Sequence, residues 1–144
     1  MLMPTTQETP QLVTWSERYS VGIARIDAEH QKLIALVNEL YAAMLAGKSN
    51  DVLARVLDGV ASYTVTHFAT EETLMKRHGY PAYAEHKAAH DKLVEQVKAL
   101  QEQARAGKSA VSQEVMTFLQ HWLLSHIAGM DKKYTKHLQA AGVK

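Results

Sequence analysis

The chain has 144 residues, of which 47% are apolar, enough for one domain with a single core. Its 16 basic and 15 acidic side chains give a net charge of +1, so no strong attraction to nucleic acid or a membrane surface is expected. The absence of cysteine excludes disulfides, iron–sulfur clusters and thiolate zinc sites, so a metal would need imidazole and oxygen ligands. No membrane span of roughly 20 apolar residues and no signal-peptide pattern occur, which favours a soluble, cytoplasmic protein.

The N-terminal part of the chain is predicted to be a tail and an arm that lead into a first helix. Residues 1–13 are a polar, proline-containing tail, and residues 14–144 form the single domain. Residues 14–26 suit an ordered arm better than a helix, because their pattern is mixed and includes a glycine. Asp27 is expected to cap the first helix, which Gly47 ends.

Three further helical segments follow. The second begins at the "SN" pair of residues 49–50, runs for roughly 28 residues and ends at "KRHGYP". The third covers about 82–106. The fourth begins after Ser109 or Ser112 and meets Gly129 near its end, before a polar C-terminal tail. Short connections and almost no strand pattern predict an all-α fold, an antiparallel up-down-up-down four-helix bundle.

Two pairs of ionisable residues stand where the helical pattern expects apolar side chains. His67 and Glu71 lie four residues apart on the second helix, and His86 and His90 do so on the third. Side chains four residues apart on an α-helix face the same way. A single buried histidine is commonly satisfied by hydrogen bonds, which is the plain alternative. Two coupled pairs on consecutive helices favour a metal, which suits neutral imidazole and carboxylate together.

The other two helices supply His30 and His126. His30 lies in the first turn of its helix, where the helix dipole favours neutral imidazole. Asp131 follows His126 by five residues, and on a regular α-helix it would point about 140° away from that histidine. Both side chains reach one site only if the helix is widened or broken there, as in a π-bulge. Gly129 stands where such a distortion would be cheap.

The candidate ligands are five imidazoles and two carboxylates: His30, His67, Glu71, His86, His90, His126 and Asp131. This set is too large for one ion, and nitrogen-rich ligation with carboxylates suits iron. Two octahedral irons have about twelve ligand positions, of which the histidines, two bridging carboxylates and a bridging oxygen fill all but one. A site with one open position would bind a small molecule. The remaining histidines are assigned plain surface or interface roles: His78, His121 and His137.

In type, order and spacing these residues resemble the hemerythrin family, in particular its bacterial single-domain members. The family pattern is H…HxxxE…HxxxH…HxxxxD, present here as His30, "HFATE", "HKAAH" and "HIAGMD". The resemblance covers residues 15–134 and leaves the first 13 residues outside the pattern. It implies two iron ions per chain, joined by an oxo or hydroxo bridge.

The resemblance also implies how the ligands are divided between the metals. One iron would be held by three histidines, His86, His90 and His126. The other would be held by His30 and His67 and would keep the open position. The two carboxylates, Glu71 and Asp131, would bridge the irons.

The function implied by the resemblance is reversible dioxygen binding without catalysis, for storage, sensing or delivery to an oxygen-using enzyme. The segment "HWLLSHI" is similar to the wall of the family's oxygen pocket, and the expected lining is Leu33, Trp122, Leu123 and Ile127. The alternatives are a di-iron enzyme, such as a peroxidase or nitric oxide reductase, an iron-handling protein or a zinc-binding bundle. We expect a monomer that neither binds nucleic acid nor inserts into a membrane.

Overall fold

Residues 10–144, which the computed structural model describes, form an antiparallel up-down-up-down four-helix bundle with an N-terminal arm, so the predicted fold is confirmed. The helices are α1 (Ala24–Leu45), α2 (Asn50–Arg77), α3 (Tyr83–Arg105), α4 (Gln113–Ser125) and α5 (Lys132–Ala140). A π-helix, His126–Asp131, joins α4 to α5, and the three make one continuous fourth rod. Within residues 10–144, no helix is long and apolar enough to cross a membrane.

The starts and stops of the bundle helices follow from local hydrogen bonding. Ser49 and Ser112 cap α2 and α4, because each hydroxyl accepts a hydrogen bond from the backbone N–H three residues further on. Gly47 follows α1 with a φ of 67°, the left-handed conformation that commonly terminates a helix. These predicted boundaries are confirmed.

Asp27 is not the cap of α1, and that prediction was wrong. The helix begins three residues earlier, at Ala24, and Asp27 lies in its first turn. The Asp27 carboxylate instead accepts hydrogen bonds from the Ser20 hydroxyl at 2.5 Å and from the Val21 backbone N–H at 2.8 Å. It therefore holds the arm against the helix start, where the dipole also favours a negative charge. Ile23, immediately before the helix, is buried and makes no side-chain cap.

The fourth rod does not end near Gly129, which corrects a second boundary. It continues as α5 to Ala140, through residues predicted to be a polar tail. Tyr134 and Leu138 lie four residues apart on one face of α5, and both are buried. This apolar face packs in a cluster with residues of the arm, such as Val21. Two apolar residues in an otherwise polar segment were too weak a pattern to predict the helix.

The bundle contains two apolar clusters with a buried polar layer between them. Along α1 the order is Ile26 in one cluster, then His30, then Leu33 in the other. The fourth rod passes in the same way from Ile127 through Asp131 toward the second cluster. Apolar side chains thus seal the polar layer at both ends.

The arm is fastened to α1 by one buried side chain. The amide oxygen of Asn38 accepts hydrogen bonds from the backbone N–H groups of Leu12 and Val13 at 2.9 and 3.0 Å, and its nitrogen donates to the Val13 carbonyl at 2.8 Å. Val13 is itself buried in the core. Residues 12 and 13, assigned to the tail by the sequence, therefore pack on the bundle. Residues 1–9 of that tail lie outside the described residues, and the domain boundary stays a prediction.

Replacing Asn38 with alanine should lower the free energy of unfolding by about 2–3 kcal/mol, because buried backbone groups of the arm lose their partners. Urea unfolding at equilibrium measures the change. Gln31→Ala, at an exposed position of the same helix, is the control and should cost less than about 0.5 kcal/mol. Equal destabilisation by the two variants would contradict the role given to Asn38.

Candidate metal centre

The structure brings all seven candidate ligands together in the polar layer. They come from each of the four rods: His30 of α1, His67 and Glu71 of α2, His86 and His90 of α3, and His126 and Asp131 of the π-helix. Each of the seven is between 0% and 5% exposed. Burial of so many ionisable groups is unfavourable unless they neutralise one another or share a cation.

The ligand atoms fall into two groups, and within each group they lie within 4.8 Å of one another. One group contains Glu71, His86, His90, His126 and Asp131. The other contains His30, His67, Glu71 and Asp131. Both carboxylates belong to both groups, which is the placement that bridging ligands require. The metal-binding roles themselves stay predictions.

Asp131 lies between imidazoles of three different rods. Its Oδ1 is 2.8 Å from Nε2 of His86 and 3.1 Å from Nε2 of His126. Its Oδ2 is 3.0 Å from Nε2 of His30, which belongs to the other group. Each carboxylate oxygen of Asp131 therefore faces a different group.

Glu71 also contacts imidazoles of both groups, but through a single oxygen. Its Oε1 is 3.1 Å from Nε2 of His67 and 3.4 Å from Nε2 of His90. Its Oε2 accepts a hydrogen bond of 2.5 Å from the hydroxyl of Tyr134, a residue of α5 that sequence reasoning did not assign to the site. The hydrogen bond from Tyr134 fixes the orientation of the carboxylate.

Buried polar atoms of the candidate ligands are left without hydrogen-bond partners, as expected of atoms that bind a cation. Seven buried side-chain atoms within residues 10–144 lack a hydrogen-bond partner, and all belong to candidate ligands: both ring nitrogens of His30, Nε2 of His67 and His86, Oε1 of Glu71, and both oxygens of Asp131. Some of these atoms lie close together, such as Nε2 of His86 and Oδ1 of Asp131 at 2.8 Å, without forming a hydrogen bond. Converging nitrogen and oxygen donors without thiolate suit iron.

In the metal-free chain, protons take the place of cations in this layer. Burial lowers the pKa of His30, but the neighbouring carboxylates of Asp131 and Glu71 outweigh it and raise that pKa to about 9. Burial and the charge of Glu71 raise the pKa of Asp131, yet the three nearby imidazoles bring it down to about 2. Nearby imidazoles likewise hold the pKa of Glu71 well below its usual range, although burial alone would raise it. Imidazolium–carboxylate pairs therefore neutralise the site.

The π-helix places His126 and Asp131 on the same side of the fourth rod, as predicted from their five-residue spacing. Its wider turn accommodates one more residue than an α-helical turn, so the fifth residue returns to the face of the first. Asp131 is fully buried as a result. The glycine is not needed for steric reasons, because a Cβ at Gly129 would have no atom within 4 Å. The predicted distortion is confirmed.

Two carboxylates behind the ligands were missed by sequence reasoning. Nδ1 of His67 donates to Oε1 of Glu29 at 2.7 Å, and Nδ1 of His90 donates to Oε2 of Glu72 at 2.8 Å. Since a carboxylate accepts, Nδ1 carries the proton and the Nε2 lone pair is left facing the site. The sequence did contain a signal, because each of these acids is adjacent to a candidate ligand: Glu29 precedes His30, and Glu72 follows Glu71.

Aromatic rings fix two of the imidazoles from the side. Phe68 stacks on His90 with ring centres 3.7 Å apart and planes within 1°, and Trp122 stacks on His126 at 4.4 Å and 12°. Trp122 is partly exposed and lines an open cleft beside the three-histidine group. The other expected pocket residues are buried in the apolar cluster next to the site: Leu33, Leu123 and Ile127. Their role as an oxygen pocket stays a prediction.

A family model described as the hemerythrin HHE cation binding domain matches residues 21–138. The chain belongs to the hemerythrin family. Its relatives include a bacteriohemerythrin of Stenotrophomonas maltophilia, 35% identical over 90% of this chain and 83% of the relative. A bacteriohemerythrin of Methylococcus capsulatus is also 35% identical, over 90% of this chain and 98% of the relative. A hemerythrin-like protein of Naegleria gruberi is 32% identical over 92% of this chain and 97% of the relative.

Solved hemerythrin structures have the same fold. A crystal structure of wild-type hemerythrin matches with a TM-score of 0.83 and 35% identity, over 88% of this chain and 98% of that one. A hemerythrin with a leucine-to-tyrosine substitution matches with a TM-score of 0.85 and 34% identity, over 90% of this chain and 98% of that one. The resemblance inferred from the ligand pattern is therefore confirmed at the level of the family and the fold.

Metal affinity should increase with pH between about pH 6.5 and about pH 9, because a metal must displace the proton that His30 holds in the metal-free chain. One displaced proton corresponds to about tenfold tighter binding per pH unit. Competition of the protein with a chelator for Zn²⁺, a redox-inactive probe, measures this slope.

The free energy of unfolding of the metal-free chain should decrease as pH rises over the same interval. The pKa of His30 is raised above 6.5, so the stabilising contribution of its proton is complete below pH 6.5 and is lost as pH rises through about 9. A zinc affinity that does not change between about pH 6.5 and about pH 9 would contradict competition between the metal and the proton on His30.

Proposed function

We propose that this protein binds dioxygen reversibly at a non-heme centre of two iron ions joined by an oxo or hydroxo bridge. The observation that carries the proposal is the pair of ligand groups sharing Glu71 and Asp131, in a chain of the hemerythrin family. When bound, the two ferrous ions supply the two electrons that dioxygen accepts, one from each metal. The use of the bound oxygen would be storage, sensing or delivery to an oxygen-using enzyme.

The proposed division of the ligands follows the two groups. His86, His90 and His126 hold one iron. His30 and His67 would hold the other, which would have one protein ligand fewer and keep the open position for dioxygen. Glu71 and Asp131 would be shared by the two irons.

The apolar side chains beside the site exclude water from the bound oxygen. Leu33, Leu123 and Ile127 are buried, and together with Trp122 they offer no acidic group to the space next to the open position. A nearby acid would protonate the reduced oxygen and release it, leaving the metals oxidised. Exclusion of water and acids therefore favours reversible binding over turnover.

Tyr134 is the nearest hydroxyl to the bridging carboxylates, and its environment makes it a poor acid. Burial raises the pKa of Tyr134 well above its usual value, and the charges of Glu71 and Asp131 raise it further. The hydroxyl therefore keeps its proton and holds Glu71 through their hydrogen bond. Because the relatives of this chain are bacteriohemerythrins, we infer that the protein is not an enzyme.

Reduced, iron-loaded protein should gain a visible absorption band on exposure to dioxygen, lose it on degassing and regain it on re-exposure. Iron analysis should give about two ions per chain. Irreversible oxidation at the first exposure would reject oxygen carriage. Turnover of peroxide or nitric oxide above that of free iron would instead favour a di-iron enzyme, and many irons per chain would favour iron storage.

Leu123→Tyr should accelerate autoxidation of the oxygenated protein by about tenfold or more without removing iron, because the new hydroxyl can donate a proton near the bound oxygen. Leu123→Phe is the matched control, since it adds a ring of similar size without the hydroxyl. Absorption decay in air and iron content are the measurements. Equal autoxidation rates in the wild type and both variants would mean that Leu123 does not line the pocket.

A further inference from the structure

The carboxylates of Glu29 and Glu72 form two matched contacts, one with each ligand group. Glu29 accepts from Nδ1 of His67 in the two-histidine group, and Glu72 accepts from Nδ1 of His90 in the three-histidine group. In the part of the chain that the structure describes, Nδ1 atoms of the other three candidate histidines have no carboxylate within ion-pair distance. Each group thus contains one imidazole with a carboxylate behind it.

Each contact continues outward to a surface cation. The side chains of Glu29 and Glu72 are 17% and 19% exposed, whereas both histidines are 1% exposed. The second oxygen of Glu29 lies 3.4 Å from Nε of Arg25, and that of Glu72 lies 3.7 Å from Nζ of Lys87. The arrangement is therefore the same on both sides: an exposed cation, a carboxylate at the bundle surface and a buried imidazole.

A carboxylate that accepts the N–H of a metal-bound imidazole makes the ring a stronger donor. The added electron density at Nε2 stabilises the higher charge of the metal and so lowers its reduction potential. One such contact per metal would lower both potentials in the same direction.

We propose that Glu29 and Glu72 are positioning residues that each lower the reduction potential of one metal, Glu29 through His67 and Glu72 through His90. The inference rests on the proposed function and deepens it. Binding of dioxygen takes two electrons, one from each ferrous ion, and both electrons return to the metals when dioxygen is released. The separation between the two potentials determines how much of the half-oxidised form, with one ferrous and one ferric ion, accumulates. Because each metal has one such carboxylate, the pair lowers both potentials and leaves their separation nearly unchanged.

Three variants of the full, iron-loaded chain test the proposal: Glu29→Gln, Glu72→Gln and the double variant. Glutamine keeps an oxygen that can accept the imidazole N–H but removes the negative charge. A redox titration without oxygen, followed by electron paramagnetic resonance, measures the largest population of the half-oxidised form. Each single variant raises one potential only and so changes the separation between the two potentials, and this population should change about twofold or more. The double variant raises both potentials, so the population should return toward the wild-type value.

Asp91→Asn is the control, because Asp91 lies 3.0 Å from the same Lys87 ammonium and is more than half exposed, yet contacts no candidate ligand in residues 10–144. It should leave the population unchanged. Single variants with full iron content and an unchanged population would overturn the proposal. So would a double variant that accumulates more of the half-oxidised form than either single variant, which indicates general loosening of the site.

Loss of iron from a folded single variant would also overturn the proposal, because the glutamate would then act on metal retention rather than on the potential. Circular dichroism establishes that the variant is folded. The titration uses no oxygen, so its outcome is separate from the oxygen-binding test. A protein that holds iron and shows the expected populations but oxidises irreversibly would reject the proposed function alone.

Discussion

The two buried carboxylates of the polar layer must be neutralised by nearby positive charge, and the rest of the site depends on this requirement. The charge of Glu71 works against ionisation of Asp131, and only the surrounding imidazoles keep both acids ionised. Such a layer must be neutralised by protons or by cations, since water does not reach it. Because His30 holds a proton up to about pH 9 in the metal-free chain, protons and metals compete for the same atoms. Metal loading and folding stability are therefore linked through a single site.

The secondary structure around this layer is adapted to it at one point, the π-helix. A regular α-helix would place only one of His126 and Asp131 in the layer, and one of the two candidate ligands would be lost. The π-helix delivers both from one rod while α4 and α5 keep their apolar faces toward the two clusters. Both ends of the π-helix, His126 and Asp131, are buried, and a side chain at Gly129 would meet no atom within 4 Å.

Most of the candidate ligands could be predicted from the sequence because their pairing is local. His67 and Glu71 share one face of α2, and His86 and His90 share one face of α3, whatever the tertiary structure is. The contacts of Glu29 with His67 and of Glu72 with His90 span 38 and 18 residues, so they depend on how the helices are rotated about their axes. The sequence does not specify that rotation directly.

Other misses had the same physical origin. The carboxylate of Asp27 serves the arm rather than the helix start, and Asn38 binds residues 12 and 13 across 25 and 26 positions of sequence. In each case a polar side chain is satisfied by a partner from a different segment, whereas the predicted role assumed a local one. Helix capping by Ser49 and Ser112, which is local, was predicted correctly.

The geometry of a four-helix bundle explains why the outer carboxylates stand next to ligands in the sequence. Successive residues of an α-helix are rotated by about 100°, and, seen from one helix of a square bundle, a neighbouring helix lies about 45° to one side of the bundle centre. A residue adjacent to an inward-pointing ligand is therefore turned toward the side on which a neighbouring helix lies, and a side chain as long as glutamate can reach a candidate ligand there. Glu72 follows Glu71 and reaches His90 of α3, and in the same way Glu29 of α1 reaches α2. Substitution at these positions can adjust the imidazoles of a neighbouring helix while every candidate ligand stays in place.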